Sequence, residues 1–81
     1  MTEERIRAAI AKVLAGIAPE ADLAAVDSRA DLREFLDLDS MDFLHFLVDL
    51  NNVLSVDVTE SDAAKLFTLE GCLAYLSTRA G

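Results

Sequence analysis

The chain holds one cysteine, one proline, three glycines and no tryptophan in 81 residues, and each scarcity closes off a class of fold or function. A lone cysteine, Cys72, cannot form an intramolecular disulfide, and a lone histidine leaves no zinc-type ligand cluster. A domain this small, without either staple, must build its core from well-packed helices. The unpaired thiol suits a reducing compartment, and Cys72 reads as a small buried core residue. Bases are scarce too, with seven Lys and Arg against fifteen Asp and Glu, for a formal charge of -8. Phosphate neutralisation needs clustered cations, so no nucleic-acid partner is expected, and basic patches on other proteins are the better match. No apolar run approaches the ~20 residues of a membrane span. The opening Thr2-Glu3-Glu4-Arg5 is not a basic then apolar signal, so no membrane insertion and a cytoplasmic location are expected. What is abundant is apolar: 53% hydrophobic against 27% charged residues separates the chain from disordered acidic tails. One folded, monomeric domain over residues 1–81 follows.

Ile6, Ile10, Val13, Leu14 and Ile17 repeat at helical spacing behind Glu3 and Glu4, which suit the positive end of a helix. A first helix is therefore expected from Thr2 to Ala15 or Ile17, ended by Gly16 and Pro19. From Pro19 to Leu36 the chain is a long connection pinned by Leu23, Val26, Leu32, Phe35 and Leu36, with a helical turn expected near Ala30 to Leu36. A second long helix should run from Ser40 or Met41 to about Leu54, with Phe43, Phe46, Leu47, Leu50, Val53 and Leu54 as its core face. Ser55 to Thr59 alternates too briefly for a strand and reads as an extended link, with Val56 and Val58 turned inward. Thr59 or Ser61 can cap a brief helix through Ala63, Ala64 and Leu66. Thr68 caps a last helix that buries Leu69, Cys72, Leu73 and Leu76, with Tyr75 at its edge. Arg79 suits the dipole at its end, and Gly81 closes the chain. The fold class is all-α, a small four-helix bundle of three main helices and a short third one.

Leu38-Asp39-Ser40-Met41-Asp42 places a serine at the mouth of the long second helix. Asp39 or Ser40 can cap it, and Asp42 in the first turn favours its dipole. Met41, Leu44 and Val48 form a second apolar stripe on the Ser40 side, a candidate docking patch or else a surface packed under the long connection. Asp42, His45, Asp49 and Asn52 share the polar arc, where His45 can meet Asp42 or Asp49. Glu34, Asp37, Asp39, Asp42, Asp49, Asp57, Glu60 and Asp62 follow one another with no Lys or Arg between Glu34 and Asp62. Such a run around the serine would steer a basic partner.

Nucleophilic catalysis by Ser40 itself is not expected. His45 lies about 140° around the helix from Ser40, so it cannot act as its base, and no glycine elbow flanks the serine. Asp37, Asp39 and Asp42 do not make a calcium loop, because Met41, Asp42 and Val48 stand where that loop needs an oxygen ligand, a glycine and a glutamate. No metal site is expected. What remains is a serine that other enzymes modify.

On these residues the chain resembles an acyl carrier protein. Leu38-Asp39-Ser40-Met41-Asp42 is similar to the Asp-Ser-Leu (or Met) motif of that family. The likeness continues through Val56-Asp57-Val58, Asp62-Ala63-Ala64-Lys65-Leu66 and Thr68-Leu69 to Tyr75-Leu76. It covers the last fifty or so residues well and the first helix only by pattern. The resemblance implies a non-catalytic carrier in which Ser40 receives 4'-phosphopantetheine from coenzyme A. Asp39 would help a phosphopantetheinyl transferase and its Mg2+ engage the serine. The arm's thiol would carry acyl groups as thioesters between acyl-loading and acyl-processing enzymes with basic docking patches. It further implies that Met41, Asp42, Leu44 and Val48 meet those partners, and that an acyl chain lies against Phe46, Leu47, Leu50 and the last two helices. Three positions depart from the family: its usual glycine before Leu-Asp-Ser is Asp37, a frequent recognition glutamate is His45, and its acidic run late in the second helix is Asn51-Asn52-Val53. These thin the acidic docking surface and point, among fatty acid, lipid and polyketide-type pathways, to a specialised one. Two other readings stand beside it: an aminoacyl (D-alanyl-type) or peptidyl carrier, although the Gly-Gly-x-Ser of peptidyl carriers is absent, and an unmodified helical interaction module.

Overall fold

Four short polar side chains set where the helices begin. Thr2 accepts from the Arg5 N–H and opens α1 (Glu3–Ile17), and Asp31 accepts from Arg33 N–H and opens α2 (Leu32–Phe35). Asp39 opens α3 (Ser40–Leu54) and Thr68 opens α4 (Leu69–Ser77), each accepting from an amide three residues on. The computed structural model describes residues 2–79; Gly81, expected to close the chain, lies outside them. Two 3-10 segments, Leu23–Ala25 and Glu60–Leu66, complete the order, so the architecture is an all-α bundle with no named strand among the described residues.

The short third helix anticipated before α4 is present as the 3-10 segment Glu60–Leu66, and neither expected hydroxyl caps it. The Thr59 and Ser61 hydroxyls hydrogen-bond each other at 3.1 Å instead. Leu23–Ala25 was not visible as periodicity, because three residues carry none; its signal is Asp22, whose carboxylate accepts from Ala24 N–H.

The core joins one face of each long helix. Ile6, Ile10 and Leu14 of α1, Phe46, Leu50 and Leu54 of α3 and Cys72 and Leu76 of α4 share one core, all at most 3% exposed, with α1 packed against both other helices. Full burial of each large side chain contributes about 1.5–3 kcal/mol. Phe43 bridges outward from this core, 5.7 Å from the Phe46 ring and edge-on at 5.1 Å to Phe67. The Arg33 guanidinium lies over the Phe67 ring, 3.6 Å from its centroid, while pairing with Asp31. Val56 and Val58 turn inward as expected, and Cys72 is fully buried, with burial pushing its thiol up to about 12; it is a packing residue.

Two residues expected to turn inward are exposed instead. Val53 is 39% exposed: it sits at the margin of the α3 apolar arc, where the long Phe46 side chain reaches the core and a valine does not. Phe35 is 49% exposed, because in a helix of one turn Leu32 takes the inward direction. Tyr75, expected at an edge, is buried, and Leu73 only partly so.

The long connection is fastened to the start of α4 by backbone bonds. Leu32 N–H donates to Phe67 C=O at 2.7 Å, and Glu70 N–H, a first-turn amide without an intrahelical acceptor, donates to Ser28 C=O at 2.8 Å. An exposed Arg29–Glu70 pair lies over this junction. At the other end of α4, the Tyr75 hydroxyl donates to Asp62 at 2.8 Å, with Lys65 and Arg79 also against that carboxylate.

Two outcomes follow. A Cβ at Gly71 would overlap the Lys65 carbonyl oxygen and stand 3.0 Å from the capping Thr68 hydroxyl, so Gly71→Ala should lower stability by about 1–3 kcal/mol in thermal melts despite alanine's helix propensity. The Tyr75 hydroxyl and the Lys65 ammonium hold Asp62 below its ordinary value of 3.8. Its contribution is therefore complete above that value and disappears as the pH falls through the lowered one. Asp62→Asn should melt below the wild type at pH 7, and the gap should close progressively on acidification.

Candidate functional site

The site is built by a chain reversal followed by a helix start. At the end of α2, Asp37 adopts φ 54°, in the left-handed region, and Leu38 N–H returns to the Arg33 carbonyl at 2.7 Å. This gives a physical reason for the glycine that acyl carrier proteins usually place here: the turn needs a positive φ. Aspartate is among the few other residues that tolerate one.

Asp39 then caps α3 reciprocally. Its Oδ1 accepts from Asp42 N–H at 2.8 Å, and Asp39 N–H donates to Asp42 Oδ2 at 3.3 Å. Of the two candidate caps, Asp39 fills the role, which leaves Ser40 as the first helical residue. Ser40 is exposed, and its hydroxyl has no hydrogen-bond partner among the described residues. The Ser40 and Met41 N–H groups have no intrahelical acceptor, so a phosphate ester on Ser40 Oγ would lie at free amides and the positive dipole end.

From Ser40 an apolar groove of about 560 Å3 runs along α3 toward the 3-10 segment, between Leu44, Leu47 and Val48 on one side and Val58, Glu60 and Ala63 on the other. Met41, Leu44 and Val48 are exposed at 58%, 50% and 46%, which rejects their packing under the long connection. Of the three residues expected against an acyl chain, Leu47 lines this groove, while Phe46 and Leu50, each 1% exposed, belong to the core behind it. Asp42 stands beside Ser40 as half of the capping box. His45 is exposed, and no described ion pair joins it to Asp42 or Asp49.

Asn51 was missed by sequence reasoning. Its Oδ1 accepts from Val58 N–H at 3.2 Å and holds the extended link as the far wall of the groove. The signal was available in its register, since Asn51 falls within about 20° of Ser40 on the helix. The acids nearest the serine, Asp37, Asp39, Asp42 and Glu60, have no cationic partner among the described residues, so the groove mouth is negative.

The small helical bundle thus presents an exposed serine, unpartnered among the described residues, at a helix start, and comparison with known proteins gives that arrangement a family. The family model described as a phosphopantetheine attachment site matches residues 4–76, and the chain belongs to this family of phosphopantetheine-bearing carrier proteins. An acyl carrier protein of Chlamydia felis (strain Fe/C-56) is similar to it, 30% identical over 60 residues that make up 74% of this chain and 77% of the relative. Membership implies a covalently attached 4'-phosphopantetheine.

The left-handed turn gives a sharp test. Asp37→Val places a β-branched residue at φ 54° and should lose about 1–2 kcal/mol, whereas Asp37→Gly should melt at or above the wild type by circular dichroism.

Proposed function

We propose that Ser40 is the attachment point of 4'-phosphopantetheine and that the loaded protein carries acyl intermediates between partner enzymes of a specialised fatty acid, lipid or polyketide-type pathway. The observation that carries the reading is the exposed Ser40 hydroxyl, free of partners, at the first position of α3 and at the head of an apolar groove. In transfer from coenzyme A, Ser40 Oγ forms a bond to the phosphorus nearer the pantetheine and the pyrophosphate bond breaks. Adenosine 3',5'-bisphosphate leaves, and the serine proton passes to the transferase. The thiol at the end of the bound arm supplies the thioester chemistry.

The remaining residues of the chain bind and orient. Asp39 uses one carboxylate oxygen in the capping box, and the second is free to meet the transferase's Mg2+. Met41, Leu44 and Val48 offer a partner an apolar strip beside Asp42, with negative charge around it to attract basic patches. The Leu47 wall of the groove suits an acyl chain, with Phe46 and Leu50 as the core beneath it.

Intact mass spectrometry after incubation with coenzyme A, Mg2+ and a broad-specificity phosphopantetheinyl transferase should show a gain of one phosphopantetheine, absent in Ser40→Ala. No gain in the wild type, with a known carrier modified in parallel, would favour an unmodified interaction module.

A further inference from the structure

A second concave surface reaches Asp37 and shares no lining residue with the groove beside the α3 stripe. It encloses about 370 Å3 between the end of α1 and α2, with Ala18, Ala21 and Ala25 on one side and Phe35 and Leu36 on the other. Phe35 is 49% exposed there. Nothing in the fold requires an aromatic side chain at this place, since Leu32 already closes α2 onto the core at 1% exposure.

The charge on this surface is of one sign. Glu20, Asp22 and Asp37 line it, and no Lys or Arg does. The two arginines nearest in the chain are engaged elsewhere: Arg33 with Asp31 and the Phe67 ring, Arg29 with Glu70. An apolar depression rimmed by three uncompensated acids fits a protein segment that carries an apolar side chain flanked by Lys or Arg.

The position of the groove identifies whose segment that is. Enzymes that use a loaded arm act on its far end, but the enzyme that installs it must bring its own catalytic groups to Ser40 Oγ. An interface of about 800 Å2 per partner, centred on the serine, has a radius of roughly 16 Å, and Asp37 lies within about 11 Å of Ser40 by chain length alone. A footprint that reaches Ser40 therefore extends onto the Asp37 rim. We infer that the Phe35 groove is a docking site for a basic, apolar-tipped segment of the phosphopantetheinyl transferase, separate from the Met41, Leu44 and Val48 stripe. The inference rests on the reading of Ser40 as the attachment point.

Steady-state kinetics of phosphopantetheine transfer, with the carrier as varied substrate, test it. Phe35→Ala should raise KM about fivefold or more with kcat little changed, the effect of truncating a central interface aromatic that touches no reacting atom. E20Q/D22N/D37N removes the three charges while keeping an Asx cap at position 22 and a residue tolerant of positive φ at 37. It should raise KM at low salt and flatten its salt dependence, whereas Glu4→Gln on the exposed side of α1 should not. Melting curves that match the wild type exclude unfolding as the cause. An unmodified wild type would overturn the Ser40 reading and this inference with it. A modified wild type with unchanged KM in both groove variants would overturn the inference alone.

Discussion

The reciprocal hydrogen bonds between Asp39 and Asp42 decide where α3 begins, and the rest of the site depends on that position. With the cap at Asp39, Ser40 is the first helical residue: its backbone is held by the helix while its side chain stays free of the helix's own hydrogen bonding. A cap one residue later would have spent the Ser40 hydroxyl on an amide. The acids that cap the helix also remain beside the serine, so one feature fixes its place and gives it a negative surround.

The single helix that follows serves two masters because its apolar arc is wider than its core contact. Phe43, Phe46, Leu47, Leu50 and Leu54 face inward, Met41, Leu44 and Val48 face solvent, and Leu47 stands where the two sets join. The groove from Ser40 is the seam between them. Its far wall is the extended link, held by one side chain, Asn51, and by the inward turn of Val58. Burying the exposed stripe would be favourable, and no described residue covers it, which suits the proposed docking of another molecule.

The long helices and the serine were legible in the sequence because their signals are local. Helical period, Thr and Asp caps and the scarcity of glycine act over a few residues and survive any tertiary arrangement. Where tertiary choice decides, the reading fell short. Val53 and Phe35 have core chemistry, yet Phe46 and Leu32 take the inward directions and leave them exposed. The Thr59 and Ser61 hydroxyls satisfy each other rather than a helix end. Asn51 looked like a lost acid on a docking face; its bond to Val58 N–H, seven residues away, shows a structural task that only the folded link reveals. Asp37 looked like a departure from a family glycine, yet its φ of 54° is a conformation that glycine adopts freely.

The proposal for the arm is positional: among the serines of this chain, the one at the start of α3 is the residue proposed to take it. Fragment-ion mass spectrometry of transferase-treated protein, digested so that Ser28, Ser40, Ser55, Ser61 and Ser77 are resolved, tests it most directly. The account predicts that phosphopantetheine is found on Ser40 alone. Modification of Ser28, Ser55, Ser61 or Ser77, with Ser40 bare, would contradict it.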